Sequence, residues 1–535
     1  MKQIEIPWEK DRKGHYRFFE ILPGALSWSL IFLPLILSYL YVNLAIFFIL
    51  AYLLIFVVRS VGYDIRAIGG YFTLKQQLKL DWMELMNDVD GGSPSDKKIT
   101  RPKWHIDNLE RVKTFSKIYL PRNIQHIVII ATYNESRAIL EPTIKSIINS
   151  SYSSKNIILV IAYEARAGQP SEENIFNLKK DYRDSFKDLL AIKHPAGLPD
   201  EIIGKGSNIT YAGQQLVDYV KKKGYDPSNV IITTLDADNR PDKSYFACLT
   251  YLYCVVPDPI KASYQPLPMF TNNIWDAPTF MRVIATGNNL FYIVQTKRPH
   301  LGRNFSAHAQ SFKALMDMDF WSKRTVVEDG HHFWRSYIFY DGDYRVYPMS
   351  VPIYQDAVLA EGYIKTLKAQ FIQLRRWTYG ASDIAYIADK VFYHKNKIPK
   401  WDALGKLLRS LEGHVTWATG TLLIYFAAFI PSLLNPQSLA ANELPLIVSQ
   451  IQRYGIIGLL ASLYVSLITL PPRPAKYRRH RSFLMLVQWI FLPVTSIIYG
   501  SLAAFNSQTR LMFKRYLTKF DITEKAVKKN LKPKS

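Results

Sequence analysis

Between Ile21 and Val58 the chain carries no charged side chain. As one straight helix that run would reach about 57 Å at 1.5 Å per residue, nearly twice a hydrocarbon core of roughly 30 Å. The run therefore predicts a helical hairpin that turns near Tyr41–Asn43 and returns both ends to one side of a membrane. It has no small-residue cleavage site, and its length argues against a signal peptide. A second apolar region follows Gly413, where Thr416–Leu434 and Tyr454–Leu470 read as spans and Phe483–Phe505 as a third stretch broken by Pro493. The connection PPRPAKYRRHR (471–481) carries five basic residues and no acid, which places it in the cytoplasm, whereas 435–453 has Arg453 as its one basic residue and falls outside. A single span over 483–505 would then leave the basic C-terminal tail outside, against the same rule. That stretch is expected to bend at Pro493 into a re-entrant or short hairpin element.

Composition narrows the class. The chain has 535 residues, 48% of them hydrophobic, enough for a real core and too many for a mainly disordered protein. Lys and Arg number 67 against 44 Asp and Glu, a net charge of +23. The densest basic clusters flank the apolar segments, so anionic headgroups explain the excess and nucleic acid is not expected as a partner. Cys248 and Cys254 have neither zinc nor redox spacing and read as packing residues in a helix.

Residues 59–412 have globular composition. After a charged, helix-leaning stretch to 124, with the turn signal DVDGGSPSD (88–96), come short β-branched runs: HIVIIAT (126–132), NIILVIAY (156–163) and NVIITTL (229–235). Near-continuous apolar strands alternating with helices predict a parallel sheet covered on both faces, with ligands just beyond the strands' carboxyl ends. Tyr133, Asn134 and Glu135, then Glu164, then Asp236 and Asp238 all fall at that edge.

Asp236 and Asp238 are two apart, so on extended chain they address one cation. Two carboxylates, with phosphate oxygens and water, suit Mg²⁺ or Mn²⁺, and hence a nucleoside diphosphate. Taken alone, a DxD is more often the polar end of a strand. Lys205, in GKGSN (204–208) at the start of a predicted helix, adds a point charge beside an anion-binding helix terminus. In VVEDGHHFW (326–334) a carboxylate pair suits a general base; a solvated turn is the plainer reading. In QLRRW (373–377), Gln373, Arg376 and Trp377 share one helical face that offers an amide, a guanidinium and an indole, a set that core packing does not call for.

The ordered set ATYNE (131–135), Glu164, GKGSN, DAD (236–238), SYQPLP (263–268), ED (328–329) and QLRRW, flanked by membrane helices, resembles membrane-embedded family 2 glycosyltransferases of the cellulose and hyaluronan synthase type. The resemblance covers roughly 125–400. It implies an α/β GT-A domain, Rossmann-like and cytoplasmic, inserted between N- and C-terminal transmembrane helices, and inverting transfer from a nucleotide-sugar, usually a UDP-sugar. By resemblance, Thr132, Tyr133, Glu135 and Glu164 line the nucleoside pocket and Lys205 lies near the diphosphate. Asp236 sits near the nucleotide and Asp238 on the metal, while Asp329 deprotonates the acceptor hydroxyl. Gln373, Arg376 and Trp377 hold the diphosphate and the acceptor end, and SAHAQSFKAL (306–315) occupies the acceptor-side loop, with His308 and Glu328 assigned to the acceptor side. Two departures stand out. AYEAR (162–166) replaces an Asp pair common in relatives, and VVED replaces the commoner TED.

The implied activity is processive polysaccharide synthesis on a glycan acceptor at the cell membrane, with membrane lipids as surroundings and a partner subunit left open. The rivals are a non-processive enzyme adding one sugar to a lipid-linked or short acceptor, and a non-catalytic synthase subunit. The expected organisation is an N-terminal segment with its hairpin (1–60), a linker or docking segment (61–124), the GT-A domain (125–398), an interfacial helix (399–415), a C-terminal transmembrane region (416–508) and a basic cytoplasmic tail (509–535).

Overall fold

A computed structural model describes residues 3–91, 101–520 and 525. Most of the DVDGGSPSD turn and most of the tail beyond Phe520 lie outside the described residues. The globular unit is built on one eight-stranded sheet: β1 (Gln125–Thr132), β2 (Ile157–Glu164), β3 (Asp188–His194), β4 (Val230–Asp236), β5 (Arg240–Pro241), β6 (Ala262–Phe270), β7 (Ala309–Ser311) and β8 (Arg345–Gln355). The order is β3-β2-β1-β4-β7-β6-β8-β5. The first four strands are parallel, and β7 pairs antiparallel with both β4 and β6. The three apolar runs that the sequence marks as strands are β1, β2 and β4. Successive residues of β1 enter different cores: Val128 and Ile130 pack on one side of the sheet, Ile127 and Ile129 on the other. This two-sided burial is why the run is apolar without alternation. The mixed sheet covered by helices is the α/β architecture expected of a GT-A domain.

The register sets the edge. Ala131 pairs with Asp236 and Thr132 with Tyr163, so β1, β2 and β4 end level. After β4 the chain turns through Asp238 into the two-residue β5, which pairs with β8 at Tyr354 and Ile353. Pro241 is tolerated there because β5 is an edge strand. The turn carries the DAD carboxylates across to the end of β8. The helices Trp82–Val89 and Lys103–Val112 dock on the helix Tyr245–Val255, with the Trp82 and Tyr251 rings 5.5 Å apart and His105 Nδ1 2.9 Å from the Tyr251 hydroxyl. Cys248 and Cys254 are buried and free.

Among the described residues, four helices are long and apolar enough to cross a membrane: Gly14–Leu40, Val42–Gln77, Leu439–Ile468 and His480–Met512. Tyr41 alone separates the first two, so the chain reverses where expected. The second helix continues to Gln77, so the division drawn at 60 falls inside it. Three C-terminal expectations need correction. The interfacial helix expected over 399–415 and the span expected over 416–434 are not separate elements: one helix, Lys400–Phe426, joins the basic stretch to the apolar one, and a short helix, Phe429–Leu434, follows. The connection over 435–453 shrinks to a few residues, because Ser438 caps a helix that already begins at Leu439 and contains Arg453. The stretch around Pro493 does not reverse. Pro493 lies in the first turn of the segment Leu492–Thr495, where its missing N–H breaks no hydrogen bond, and the helical path continues with a 3₁₀ turn before it and a π segment after it. Both ends of this last helix bond to the globular unit. Arg282 donates to the Gln488 side chain at 2.6 Å, and the Thr378 and Ser507 hydroxyls stand 2.9 Å apart.

Candidate active site

One cavity of about 880 Å³ runs from the strand ends to the helix Lys400–Phe426. At its inner end the loop after β1 closes on itself. The Thr132 hydroxyl donates to Glu135 Oε2 at 2.7 Å, and the Tyr133 N–H donates to the same oxygen at 2.8 Å. Beside it, Glu164 accepts from Arg166 Nη2 at 3.0 Å, and that guanidinium lies 4.0 Å from the centre of the Tyr133 ring. Tyr133 and Arg166 thus make a flat, polar-edged wall. AYEAR departs from an Asp pair, yet its Glu and Arg neutralise each other at the same rim.

The centre is held by Lys205. It opens the helix Lys205–Lys222, and its Nζ stands 2.9 Å from Asp236 Oδ1, 3.2 Å from both Asp329 oxygens and 3.5 Å from Glu328 Oε1. Gly206 permits this convergence: a Cβ there would stand 2.6 Å from the Ser322 carbonyl and 3.2 Å from Glu328 Cβ. Burial alone would lower the Lys205 pKa, but Asp236, Asp329 and Glu328 outweigh it and raise it above its ordinary value. Burial pushes the Asp236 carboxyl up, and Lys205, Lys525 and the Ser306 hydroxyl at 2.6 Å overcome it and hold Asp236 well below the usual range. Glu328 goes the other way. Burial and the adjacent Asp329 charge push it up to about 7, against the opposing charges of Lys205 and Arg376.

Asp238 accepts the Asp356 N–H at 3.0 Å and the Lys525 ammonium at 2.6 Å. Asp356, at the end of β8, is pushed up to about 6 by burial and by the Asp238 charge. Among the described residues no group of three or more His, Cys, Asp or Glu is arranged to hold a metal. A two-carboxylate site completed by phosphate oxygens and water is nevertheless the usual Mg²⁺ arrangement. The mutual repulsion of Asp238 and Asp356, relieved here by an ammonium group, marks a place where a cation fits.

Gln373, Arg376 and Trp377 project from the helix Tyr363–Thr378 onto the same cavity. The Arg376 guanidinium stacks 3.8 Å from the Phe520 ring, and Trp377 packs 6.0 Å from Phe270. Of the residues singled out from the sequence, Thr132, Tyr133, Glu135, Glu164, Lys205, Asp236, Asp238, Glu328, Asp329, Gln373, Arg376 and Trp377 all line this cavity. His308 does not. It is 1% exposed, its Nδ1 meets the Phe305 carbonyl at 3.0 Å, and its Nε2 accepts the Trp321 indole N–H at 3.2 Å. Both nitrogens are thus engaged, Nδ1 also stands 3.8 Å from Asp329 Oδ1, and burial lowers the His308 pKa.

Sequence reasoning missed Arg166, Ser306, Asp356, Phe520 and Lys525. Asp356 carries no motif of its own and reaches Asp238 only through strand order. Phe520 and Lys525 lie in a basic tail that composition reads as lipid-facing. In the fold, Phe520 N–H donates to the Ile203 carbonyl at 2.8 Å, bridges join Ile203 to Lys519 and Leu359 to Lys525, and Phe520 and Lys525 line the cavity.

No family model matches the chain, and no curated protein sequence does. Solved structures similar to it include a mannosyltransferase, PcManGT, from Pyrobaculum calidifontis in complex with GDP-Man and Mn²⁺, at 14% identity over 78% of this chain and 99% of that one, with a TM-score of 0.40. Another is S. aureus TarS 1-349 in complex with UDP-GlcNAc, at 12% identity over 73% and 91%, TM-score 0.36. A third is glucosyl-3-phosphoglycerate synthase from Mycobacterium tuberculosis with Mn²⁺ and UDP, at 14% identity over 56% and 87%, TM-score 0.29. Likeness this remote assigns no residue or substrate to the present chain.

Proposed function

We propose that the chain is an inverting, membrane-embedded glycosyltransferase of the family 2 type, which moves a sugar from a nucleoside diphosphate sugar, UDP-sugars first, to an acceptor hydroxyl at the cytoplasmic face of the cell membrane. The observation that carries this reading is the position of Lys205, 2.9 Å from Asp236 and 3.2 Å from Asp329, in the cavity that Arg376 also lines. A strand-end carboxylate, a candidate base and two cations thereby surround one space. A structural ion-pair network alone would not need them to line a cavity of about 880 Å³.

In this reading the Tyr133 and Arg166 wall receives the nucleoside, and Lys205 and Arg376 lie along the diphosphate. Asp329 takes the acceptor's hydroxyl proton as its oxygen attacks the anomeric carbon. The new C–O bond forms as the bond to the diphosphate breaks from the opposite face, so one base suffices and the configuration inverts. Fixed cations that need no reorganisation stabilise the charge on the leaving group. Mg²⁺ or Mn²⁺, held by Asp238 with Asp236, would supply further charge neutralisation when bound. Glu328, pushed toward its neutral form by burial and the Asp329 charge, presents Lys205 with less than a third full carboxylate. The basic segments 471–481 and 513–519 support a cytoplasmic catalytic unit by the positive-inside rule. Repeated addition, as in a polysaccharide synthase, rests on the resemblance of DAD, ED and QLRRW to enzymes of that type. The test is a panel of nucleotide-sugars offered to purified full chain in nanodiscs with Mg²⁺ or Mn²⁺, reading nucleotide release, product mass and anomeric configuration together. Release with a polymer of inverted configuration is expected. A retained configuration, or no turnover with any donor, contradicts the reading.

A further inference from the structure

The other end of the cavity has a different character. Arg298 and Arg303, from the segment after the helix Thr279–Thr296, and Arg409, from the helix Lys400–Phe426, line its membrane-side arm. Arg66, from the helix Val42–Gln77, stands with Arg59 and Arg409 among the charged neighbours of Arg298, and all of them repel it. Among the described residues, no carboxylate forms an ion pair with Arg66, Arg298, Arg303 or Arg409. The Arg66 Nε is buried with no hydrogen-bond partner. The acid closest in charge to Arg303 is Asp383, which is bound to His331 at 2.8 Å, while Arg303 itself lies 4.3 Å from the Trp334 ring. Glu412, at the same mouth, is already paired with Arg59. Burial, then the neighbouring arginines, depress Arg298, and burial brings Arg303 down to about 10, with the Asp383 charge opposing the fall and the Arg409 charge adding to it.

Like charges gathered without counter-charges are costly unless an anion comes from outside. Guanidinium groups converging from three elements suit phosphate, which they bind through several donors at once. Depth identifies the source. On the helix Val42–Gln77 the exposed apolar residues Leu54, Ile55, Phe56 and Val58 lead directly to Arg59, and Trp417 lines the arm at the same end. Apolar surface therefore borders the arginines, as it would beside an acyl or prenyl chain.

We propose that this arm binds the phosphate or pyrophosphate of a lipid-linked acceptor, with the lipid chain toward the bilayer and the accepting hydroxyl inward toward Asp329. This deepens the glycosyl-transfer reading and rests on it. The experiment measures binding of a long-chain polyprenyl phosphate to the full chain in phosphatidylcholine nanodiscs by native mass spectrometry. The matching polyprenol, phosphatidylglycerol and inorganic phosphate serve as competitors, and nucleoside diphosphate binding is read calorimetrically on the same samples. The proposal expects the polyprenyl phosphate to bind at least tenfold more tightly than any competitor. Affinity should fall about 100-fold in Arg298→Gln/Arg409→Gln, on the order of tenfold per lost charge-assisted contact, and recover in part in Arg298→Lys/Arg409→Lys. Nucleotide binding should be unchanged in all of them. Equal binding of polyprenol or phosphatidylglycerol would overturn the proposal in favour of a plain apolar or headgroup surface, and equal competition by inorganic phosphate would overturn the lipid assignment. If the wild type binds nucleotide but not polyprenyl phosphate, this inference alone fails; if it binds no nucleotide, the underlying reading fails.

Discussion

The two ends of the cavity treat charge in opposite ways. At the strand ends Asp236 and Asp329 share Lys205, Asp238 holds Lys525 and Glu164 holds Arg166, so the charges are largely compensated within the chain. At the end lined by the helix Lys400–Phe426, Arg66 and Arg409 repel Arg298, Arg409 repels Arg303, and among the described residues no carboxylate forms an ion pair with any of the four. A network that is complete by itself favours the folded state and presents fixed dipoles to a ligand. One left incomplete opposes folding locally and favours whichever ligand completes it. The contrast separates residues whose loss unfolds the site from residues whose loss only empties it.

The contrast breaks most visibly at Lys205. Lys205→Met leaves Glu328, Asp329 and Asp236 facing one another, and it is expected to cost about 3 kcal/mol of stability, the low end for breaking a buried ion pair, because Asp236 and Asp329 keep some solvent. Thermal unfolding in detergent would show the loss, and an unchanged melting temperature would deny that the network is structural. Glu328→Gln sharpens the same point through pH. The folded protein holds the Glu328 proton up to about pH 7, against an ordinary value of 4.5, so between these values the folded state binds more protons than the unfolded one and wild-type stability falls as pH rises. The variant lacks that slope. Its stability relative to wild type should climb on the order of 1–3 kcal/mol from pH 5 to pH 8 and then level off; a difference independent of pH would show that Glu328 titrates normally.

Smaller effects follow at the edges of the comparison. In Lys525→Met, Asp238 loses its ammonium partner, and Mn²⁺ binding without donor should tighten several-fold, in line with a partly exposed pair worth about 1 kcal/mol. Titration by electron paramagnetic resonance reads this directly, and weaker Mn²⁺ binding would mean that Lys525 supports the cation site. The smallest effect is expected at the other end of the cavity. Arg298→Met removes a charge that its neighbours oppose, so stability should hold within about 0.5 kcal/mol or rise slightly. A clear loss would reveal a counter-charge and remove the contrast.

The parts of this arrangement that local chemistry dictates were legible in the sequence. Continuous β-branched runs could only be two-sided strands, and DAD, ED and QLRRW, at a strand end, a helix start and a helix face, all reach the cavity. What long-range topology decides was not legible. Asp356 meets Asp238 because β5 carries the turn to β8, and no spacing along the chain encodes that pairing. His308 sits in a promising loop, yet the antiparallel pairing of β7 with β4 turns it inward. Pro493 reads as a bend, but its position in a first helical turn removes the clash that would have forced one. The tail reads as lipid-facing charge because composition cannot show that Phe520 lies on Arg376.

The central claim is that Asp329 accepts the proton while Lys205 and Arg376 hold the leaving diphosphate, and Asp329→Asn in the purified full chain tests it most directly. With the best donor of the panel, nucleotide affinity should stay within a few-fold of wild type, while nucleotide release and glycosidic product fall by 10²-fold or more, about the contribution of a positioned base. Turnover near the wild-type rate would contradict the account.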